Sequence, residues 1–270
     1  MTSNFADINL SIKKNGYFLI KDFLDKKDIL DLKKILDTNT KKNTSNSFIA
    51  FKKIDLFKSI LRLDTKKIKK NYVINKVKNK YNLQGIASTI LGKKNELYAI
   101  DSYKSEKNIN MVIPWHTDQA YSGKKEIDDS QIVNPDKAAL KFFFYLTDVD
   151  SDNGCLGYIP GSHKISYFLK KLILQKKIDY SPYWSLSDYR NFITTDNIKK
   201  NLLNFVSEYE LNQFLKISSF ITTDKKDTNL FDIPAKEGSL LIFDESGVHR
   251  GAALNKTDRL CLRYFFRKKI

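Results

Sequence analysis

The sequence predicts one mainly β domain, a sandwich or barrel, with helices on its flanks. Three observations predict it. From about residue 96, short runs rich in Val, Ile, Phe and Tyr recur between turn signals, the pattern of a sandwich or barrel. Ahead of them, about 1–95 carries mostly helical spacing, and about 165–230 returns to that spacing inside the strand series. The length, 270 residues, suits one large domain, and no internal repeat or low-complexity linker divides it. The β core is therefore expected over about 96–164 and 231–270.

Taken in order, YFLIKDFL (17–24) reads as a short strand leading into a helix. Asp25 is its N-cap, and Ile29, Leu30, Leu32, Ile35 and Leu36 follow at helical spacing. Residues 37–47 are polar and read as a loop. A helix is expected over roughly 51–63, where Phe51, Ile54, Phe57 and Leu61 recur with helical period. Lys66–Lys80 reads as a basic, solvated helix, and YNLQGIASTIL (81–91) as an apolar helix stopped by Gly92. ELYAIDSY, INMVIPWHTD, AALKFFFYLTDV, CLGYIP, GSLLIFD and LCLRYFF read as strands. Turns at Ser122-Gly123, Asn134-Pro135, Asp152-Asn153-Gly154, Pro160-Gly161 and Lys236-Glu237-Gly238 separate them. The insertion, ISYFLKKLILQ through EYELNQFL, is helical with aromatics interspersed.

Composition excludes several classes. Hydrophobic residues make up 41% of the chain, enough for a core, so global disorder is out. No apolar run approaches the roughly 18 residues of a membrane span. The N-terminus lacks a secretory pattern, and two cysteines, Cys155 and Cys261, are too few for a disulfide framework. A cytoplasmic protein is expected. Lys and Arg number 47 against 31 acids, a net charge of +16 that invites a nucleic-acid reading. The lysines, however, are spread without interleaved readout residues, so a nucleic-acid partner is not expected. Only six of the basic residues are arginine, and four of these (Arg250, Arg259, Arg263, Arg267) fall within the last strand region. Where arginine is kept in so lysine-rich a chain, its planar fork matters. No sequence feature sets an oligomeric state.

The chain has three histidines: His116, His163 and His249. His116 and Asp118 are two apart in PWHTD, so on an extended strand both face one side. His249 follows a strand and a turn in GSLLIFDESGVHRG. Two histidines and one carboxylate hold Fe(II) on one face and leave positions open, with zinc the rival metal. HxD alone is a weak signal, since a hydrogen-bonded strand-end pair gives the same letters. Arg259, ten residues beyond His249, strengthens it: a strand-turn-strand hairpin places its guanidinium deeper in the cavity of His249. There its fork matches a dicarboxylate. The bland reading is a surface ion pair with Asp258.

Four stretches, in order, resemble the phytanoyl-CoA dioxygenase family of Fe(II)/2-oxoglutarate-dependent oxygenases. They are NGYFLIKDFL, PWHTD, DNGCLGYIPGSHK and HRGAALNKTDRLCLRYFF, spanning residues 15–266. The resemblance implies a double-stranded β-helix (jelly roll) flanked by helices. It implies His116, Asp118 and His249 as iron ligands and Arg259 as the anchor of the 2-oxoglutarate C5 carboxylate. Phe143 falls where the family often sets an aromatic beside the cosubstrate, with a plain core phenylalanine in KFFFYL as the alternative, and His163 falls in a structural turn. The implied reaction consumes O2 and 2-oxoglutarate, releases succinate and CO2, and hydroxylates a C–H bond of a small molecule, with ascorbate as a supporting reductant. Desaturation, cyclisation and epimerisation share its opening steps. An AlkB-like nucleic-acid demethylase is the alternative, but Phe265 stands where that family has a second arginine. Asp118 speaks against a halogenating relative.

Trp115, Tyr121, Tyr183 and Trp184 are candidate substrate-pocket aromatics, and each has a core-packing alternative. Arg263, four residues past Arg259, shares its face; it meets an acidic substrate group or lies in solvent at the strand's far end. The basic balance slightly favours an anionic substrate. The insertion 165–230 is expected to be a lid, since it leaves after PGSH and returns before the His249 strand.

Overall fold

The computed structural model describes residues 5–37, 46–50, 65–107, 115–117, 139–177, 186–219 and 229–268. Its centre is a six-stranded antiparallel sheet. The strands are β1 (Tyr17–Ile20), β2 (Asn46–Ala50), β3 (Asn95–Ser105), β4 (Ala139–Tyr145), β7 (Leu240–Asp244) and β9 (Arg259–Lys268). They lie in the order β1-β7-β4-β9-β3-β2. A smaller sheet sets β5 (Leu156–Tyr158) between β6 (Asp232–Ile233) and β8 (His249–Gly251).

The strands earn their places through alternation. On β4, Leu140, Phe142 and Phe144 face outward into a core covered by helices, while Phe143 and Tyr145 face inward. Leu240 and Ile242 of β7, with Leu260, Leu262, Tyr264 and Phe266 of β9, join the outer core. The inner core takes Tyr145, Leu241, Phe243 and Cys261 from the large sheet, Leu156, Tyr158 and Ile233 from the small one, and Cys155 and Ala252 from just beyond its strand ends. Two sheets thus face each other across a shared interior, the jelly-roll arrangement that the resemblance implies.

Helices α1 (Phe5–Asn15), α2 (Lys26–Asp37), α3 (Thr65–Lys80) and α4 (Leu83–Leu91) cover the outer face of the large sheet. Asp25 caps α2 as expected, its Oδ1 accepting the Asp28 N–H at 2.8 Å. Gly92 closes α4 with φ +84°, which glycine tolerates without strain. A second helical layer, α5 (Ser162–Leu174), α6 (Leu186–Thr194), α7 (Asp196–Leu202) and α8 (Glu208–Ser218), forms its own core with Trp115, Ile159 and Val248. Ser207 and Glu210 make a reciprocal capping box at the start of α8. Among the described residues no helix is long and apolar enough to cross a membrane.

Several expectations need correction. Residues 46 and 47 open strand β2 rather than closing a loop, because the pairing partner, Asp101–Ser105 of β3, is remote in sequence. α1 went unread, since its buried stripe is only Ile8 and Ile12. α3 is helical but not wholly solvated: Val73, Ile74 and Val77 are buried, and so is Lys70. The insertion begins at Ser162, so His163 belongs to the first turn of α5. The helix expected over 51–63 and most of INMVIPWHTD lie outside the described residues.

Candidate active site

His249 opens β8, and its backbone is bonded both ways to His116: each N–H donates to the other's carbonyl at 2.9 Å. This bridge brings two imidazoles from distant segments together, with ring centroids 4.4 Å apart. The His249 Nδ1 lies 2.8 Å from the Gly247 carbonyl. A carbonyl only accepts, so Nδ1 carries the proton and Nε2 keeps the lone pair that a metal takes. Among the described residues, no cluster of three His, Cys, Asp or Glu side chains suited to a metal occurs. The expected third ligand, Asp118, lies outside them, as do Tyr121, Tyr183 and Trp184.

Aromatic rings wall the histidine pair. Phe243 stands 5.3 Å from His249, and Tyr158 stacks on His249 at 6.3 Å and 16°. Phe143 meets Phe243 edge-on at 5.0 Å, so it lines the interior where the sequence places it. Lys141, which the sequence reading missed, lies over the Phe243 and Phe265 rings with its Nζ 3.8 Å from Glu245.

Arg259 points inward from the start of β9. Its Nη1 donates to the Gly154 carbonyl, its Nη2 donates to Ser105 Oγ at 3.2 Å, and the guanidinium lies over Tyr103 at 5.3 Å. Its Nε is buried and has no hydrogen-bond partner among the described residues. A buried donor without an acceptor is costly, and a ligand carboxylate would satisfy it. Gly154 is needed here twice over: its φ is +72°, and a Cβ there would sit 3.1 Å from Arg259 Cδ. The sequence read Asn153-Gly154 as a turn; Asn153 fixes it by donating to the Asp148 carbonyl at 3.0 Å and to Thr257 Oγ1 at 2.8 Å.

Arg263 shares the inner face and does not lie in solvent at the strand's far end, because it is paired within the chain. Its Nε and Nη2 donate to the two oxygens of Asp101 at 2.6 and 2.8 Å, and its guanidinium lies 5.3 Å from each of the Tyr103, Phe143 and Phe265 rings. Burial pushes the Asp101 carboxyl up, against the opposing pull of Arg263. Asp101 faces inward because β3 bulges between Leu97 and Ala99.

Trp115 also needs correction as a pocket aromatic. It is 0% exposed, set edge-on against Phe231 at 6.2 Å with the Arg250 guanidinium 5.1 Å from its ring. Arg250 is itself buried and paired with Asp232 at 2.5 Å. His163 is structural, its Nε2 3.3 Å from the Lys13 carbonyl at the end of α1. Burial raises both thiols, Cys155 to about 12, so both stay protonated near neutral pH.

A family model described as phytanoyl-CoA dioxygenase matches residues 12–261. No curated protein sequence matches the chain significantly. Among solved structures, HygX from Streptomyces hygroscopicus, with nickel and 2-oxoglutarate bound, superposes at TM-score 0.57 and 14% identity, covering 96% of this chain and 85% of that one. The epimerase SnoN, in complex with Fe3+, alpha-ketoglutarate and nogalamycin RO, superposes at TM-score 0.54 and 13% identity over 97% of this chain and 82% of its own. The carbocyclase SnoK from nogalamycin biosynthesis does so at TM-score 0.54 and 14% identity, over 97% and 83%. At these identities the likeness is one of fold.

Proposed function

The chain belongs to the phytanoyl-CoA dioxygenase family and is an Fe(II)- and 2-oxoglutarate-dependent oxygenase; on that premise we propose that it hydroxylates a C–H bond of a small-molecule metabolite between its two sheets. His116, Asp118 and His249 are the proposed iron ligands, and Arg259 the anchor of the distal 2-oxoglutarate carboxylate. The observation that carries this reading is the pairing of two features in one interior. His116 and His249 lie ring to ring, and the buried Arg259 Nε lacks an acceptor among the described residues. Both fit the cofactors: neutral imidazole is a ligand for Fe(II), and an unmatched guanidinium donor suits a carboxylate.

Iron and 2-oxoglutarate, when bound, turn O2 into the oxidant and yield succinate and CO2. The remaining work belongs to the chain. Gly247 holds the His249 tautomer through its carbonyl. The Gly154 carbonyl holds Arg259 at Nη1, Ser105 at Nη2, and Tyr103 lies against the guanidinium face, which keeps the fork oriented. Phe143, Phe243 and Tyr158 supply apolar walls that exclude water from the reacting centre.

The interior charges bear on the substrate. Arg263 is matched by Asp101 and Lys141 by Glu245, which supports a substrate without strong negative charge at that wall. This moves the reading away from the anionic substrate that the overall charge suggests. Epimerisation or ring closure is the second reading, favoured by the likeness in fold to SnoN and SnoK. The lid reading narrows to α6–α8, since α5 is tied down by buried hydrogen bonds. Succinate release from 2-oxoglutarate across a panel of metabolites tests the proposal. Substrate-dependent turnover supports it, and product mass separates hydroxylation from redox isomerisation or ring closure. No turnover and no Fe(II) binding would reject it.

A further inference from the structure

His249 is preceded by a tight turn, residues 244–247, that is built around Asp244. The Gly247 N–H donates to the Asp244 carbonyl at 3.1 Å, and the Ser246 N–H donates to Asp244 Oδ1 at 2.9 Å. The carbonyl of Gly247 is the acceptor that holds His249 Nδ1. The turn has no slack on its sheet side, where a Cβ on Gly247 would lie 1.9 Å from the Tyr158 hydroxyl oxygen. That hydroxyl donates to the Asp244 carbonyl at 3.0 Å.

The other side of the turn is held by α5. Ser162 Oγ accepts the Val248 N–H at 2.7 Å, Tyr167 donates its hydroxyl to Asp244 Oδ2, and Lys170 Nζ donates to Ser246 Oγ. Ser162, Asp244 and Ser246 are each 0% exposed and Lys170 is 3% exposed. Burial, with the Asp244 charge adding to it, keeps the Tyr167 hydroxyl protonated and so a donor. A helix that only had to pack here would carry leucine at 170, since a buried lysine is among the least favourable residues to enclose. The polar set is instead directed at one turn, and that turn ends on a proposed metal ligand.

Building on the proposed iron site, we propose that Tyr167 and Lys170 are positioning residues for His249. They fix the turn at 244–247, the Gly247 carbonyl then holds the imidazole as its Nδ1–H tautomer, and Nε2 is left to the metal. The first helix of the insertion is on this account a strut behind the metal ligand rather than part of a moving cover.

The test uses the full chain under anaerobic conditions, with Co(II) as the probe and its visible absorption as the readout. Tyr167→Phe and Lys170→Met are compared with Ser166→Ala, a buried neighbour on the same helix whose hydroxyl meets Tyr189 at 2.8 Å and not the turn. Loss of a group that orients a ligand weakens metal binding about 10–100-fold, and that drop with a changed Co(II) spectrum is expected for the first two variants and not for the third. Unchanged affinity in Tyr167→Phe and Lys170→Met overturns the inference. So does a loss of affinity in all three that only follows their melting temperatures. Should Lys170→Met fail to fold, Ser246→Ala removes the same hydrogen bond and decides by the same criterion. A wild-type chain that binds no Co(II) rejects the iron site itself, a different outcome from variants that bind as well as wild type.

Discussion

The two faces of the large sheet come from the same strands and do different things. On its outer face, Leu140, Phe142, Phe144, Leu260, Leu262 and Phe266 are apolar, buried and covered by helices. One residue over, on the inner face, stand Lys141, Phe143, Arg259, Cys261 and Arg263, where cations lie among aromatic rings. The outer face needs only volume and hydrophobicity. The inner face needs partners, such as Asp101 for Arg263 and Ser105 for Arg259, and among the described residues leaves one donor of Arg259 unmatched. Period-two alternation thus lets a single strand hold the fold together on one side and carry chemistry on the other.

The comparison is open to attack at both faces. The largest effect is expected at the histidine pair: His116→Ala, Asp118→Ala and His249→Ala each abolish succinate production while the chain stays folded. Wild-type turnover in all three would end the proposed ligand set. Next comes the outer face, where Phe142→Ala is expected to lower unfolding free energy by about 3–5 kcal/mol, measured by urea titration. Phe143→Ala, its inner neighbour, is expected to lose less stability and more activity; equal stability losses would erase the distinction between faces. Arg259→Ala is expected to raise the 2-oxoglutarate KM by a factor of about 30 or more, as when a buried charge loses its partner. Arg259→Lys recovers only part, because one ammonium cannot reproduce the fork. An unchanged KM in both variants would remove Arg259 as the anchor.

The smallest effect lies outside both faces, at His163. Burial holds this imidazole below its ordinary value of 6.5. As pH falls through 6.5, the unfolded chain takes up a proton that the folded site refuses. The stability contributed is present above that pH and lost below it, down to the folded value. The melting temperature should therefore fall by a few degrees on acidification from neutral, and by less in His163→Gln. Parallel pH profiles for the two proteins would show that the imidazole is not held neutral.

Much of the inner face was legible in the sequence because strand period and motif spacing are local. His116 and His249 lie ring to ring, and Phe143, which the family resemblance rather than spacing singled out, packs in the same interior. Trp115 takes its core-packing alternative, for a local reason: neighbours on a strand point to opposite faces, so a residue beside His116 turns away from the site. The same rule sends Arg250 away from His249 to its pairing with Asp232. Arg263 was not legible, because its partner lies on β3 and no local pattern reveals cross-strand register. β2 was missed for the same reason, and Lys141 because a lysine among KFFFYL reads as the solvent side of a strand. The polar clamp from α5 was hidden by the helical spacing of ISYFLKKLILQ, which looks like plain packing.

The bulge at the start of β3 sets where this chain tolerates insertions and deletions. Beyond it, Asp101, Tyr103 and Ser105 lie in register with Arg263, Cys261 and Arg259. Adding or removing one residue between Ala99 and Asp101 would turn all three toward the helix-covered side. A carboxylate would then enter an apolar core while Arg263 and Arg259 lost their partners together. The same change between Asn95 and Tyr98 falls on the far side of the irregularity, where only Asn95, Glu96 and Leu97 remain to be re-paired with the end of β9. Two adjoining stretches of one strand thus differ in how a change of a single residue in length is received, and loop grafts or circular permutations that enter through β3 belong before the bulge.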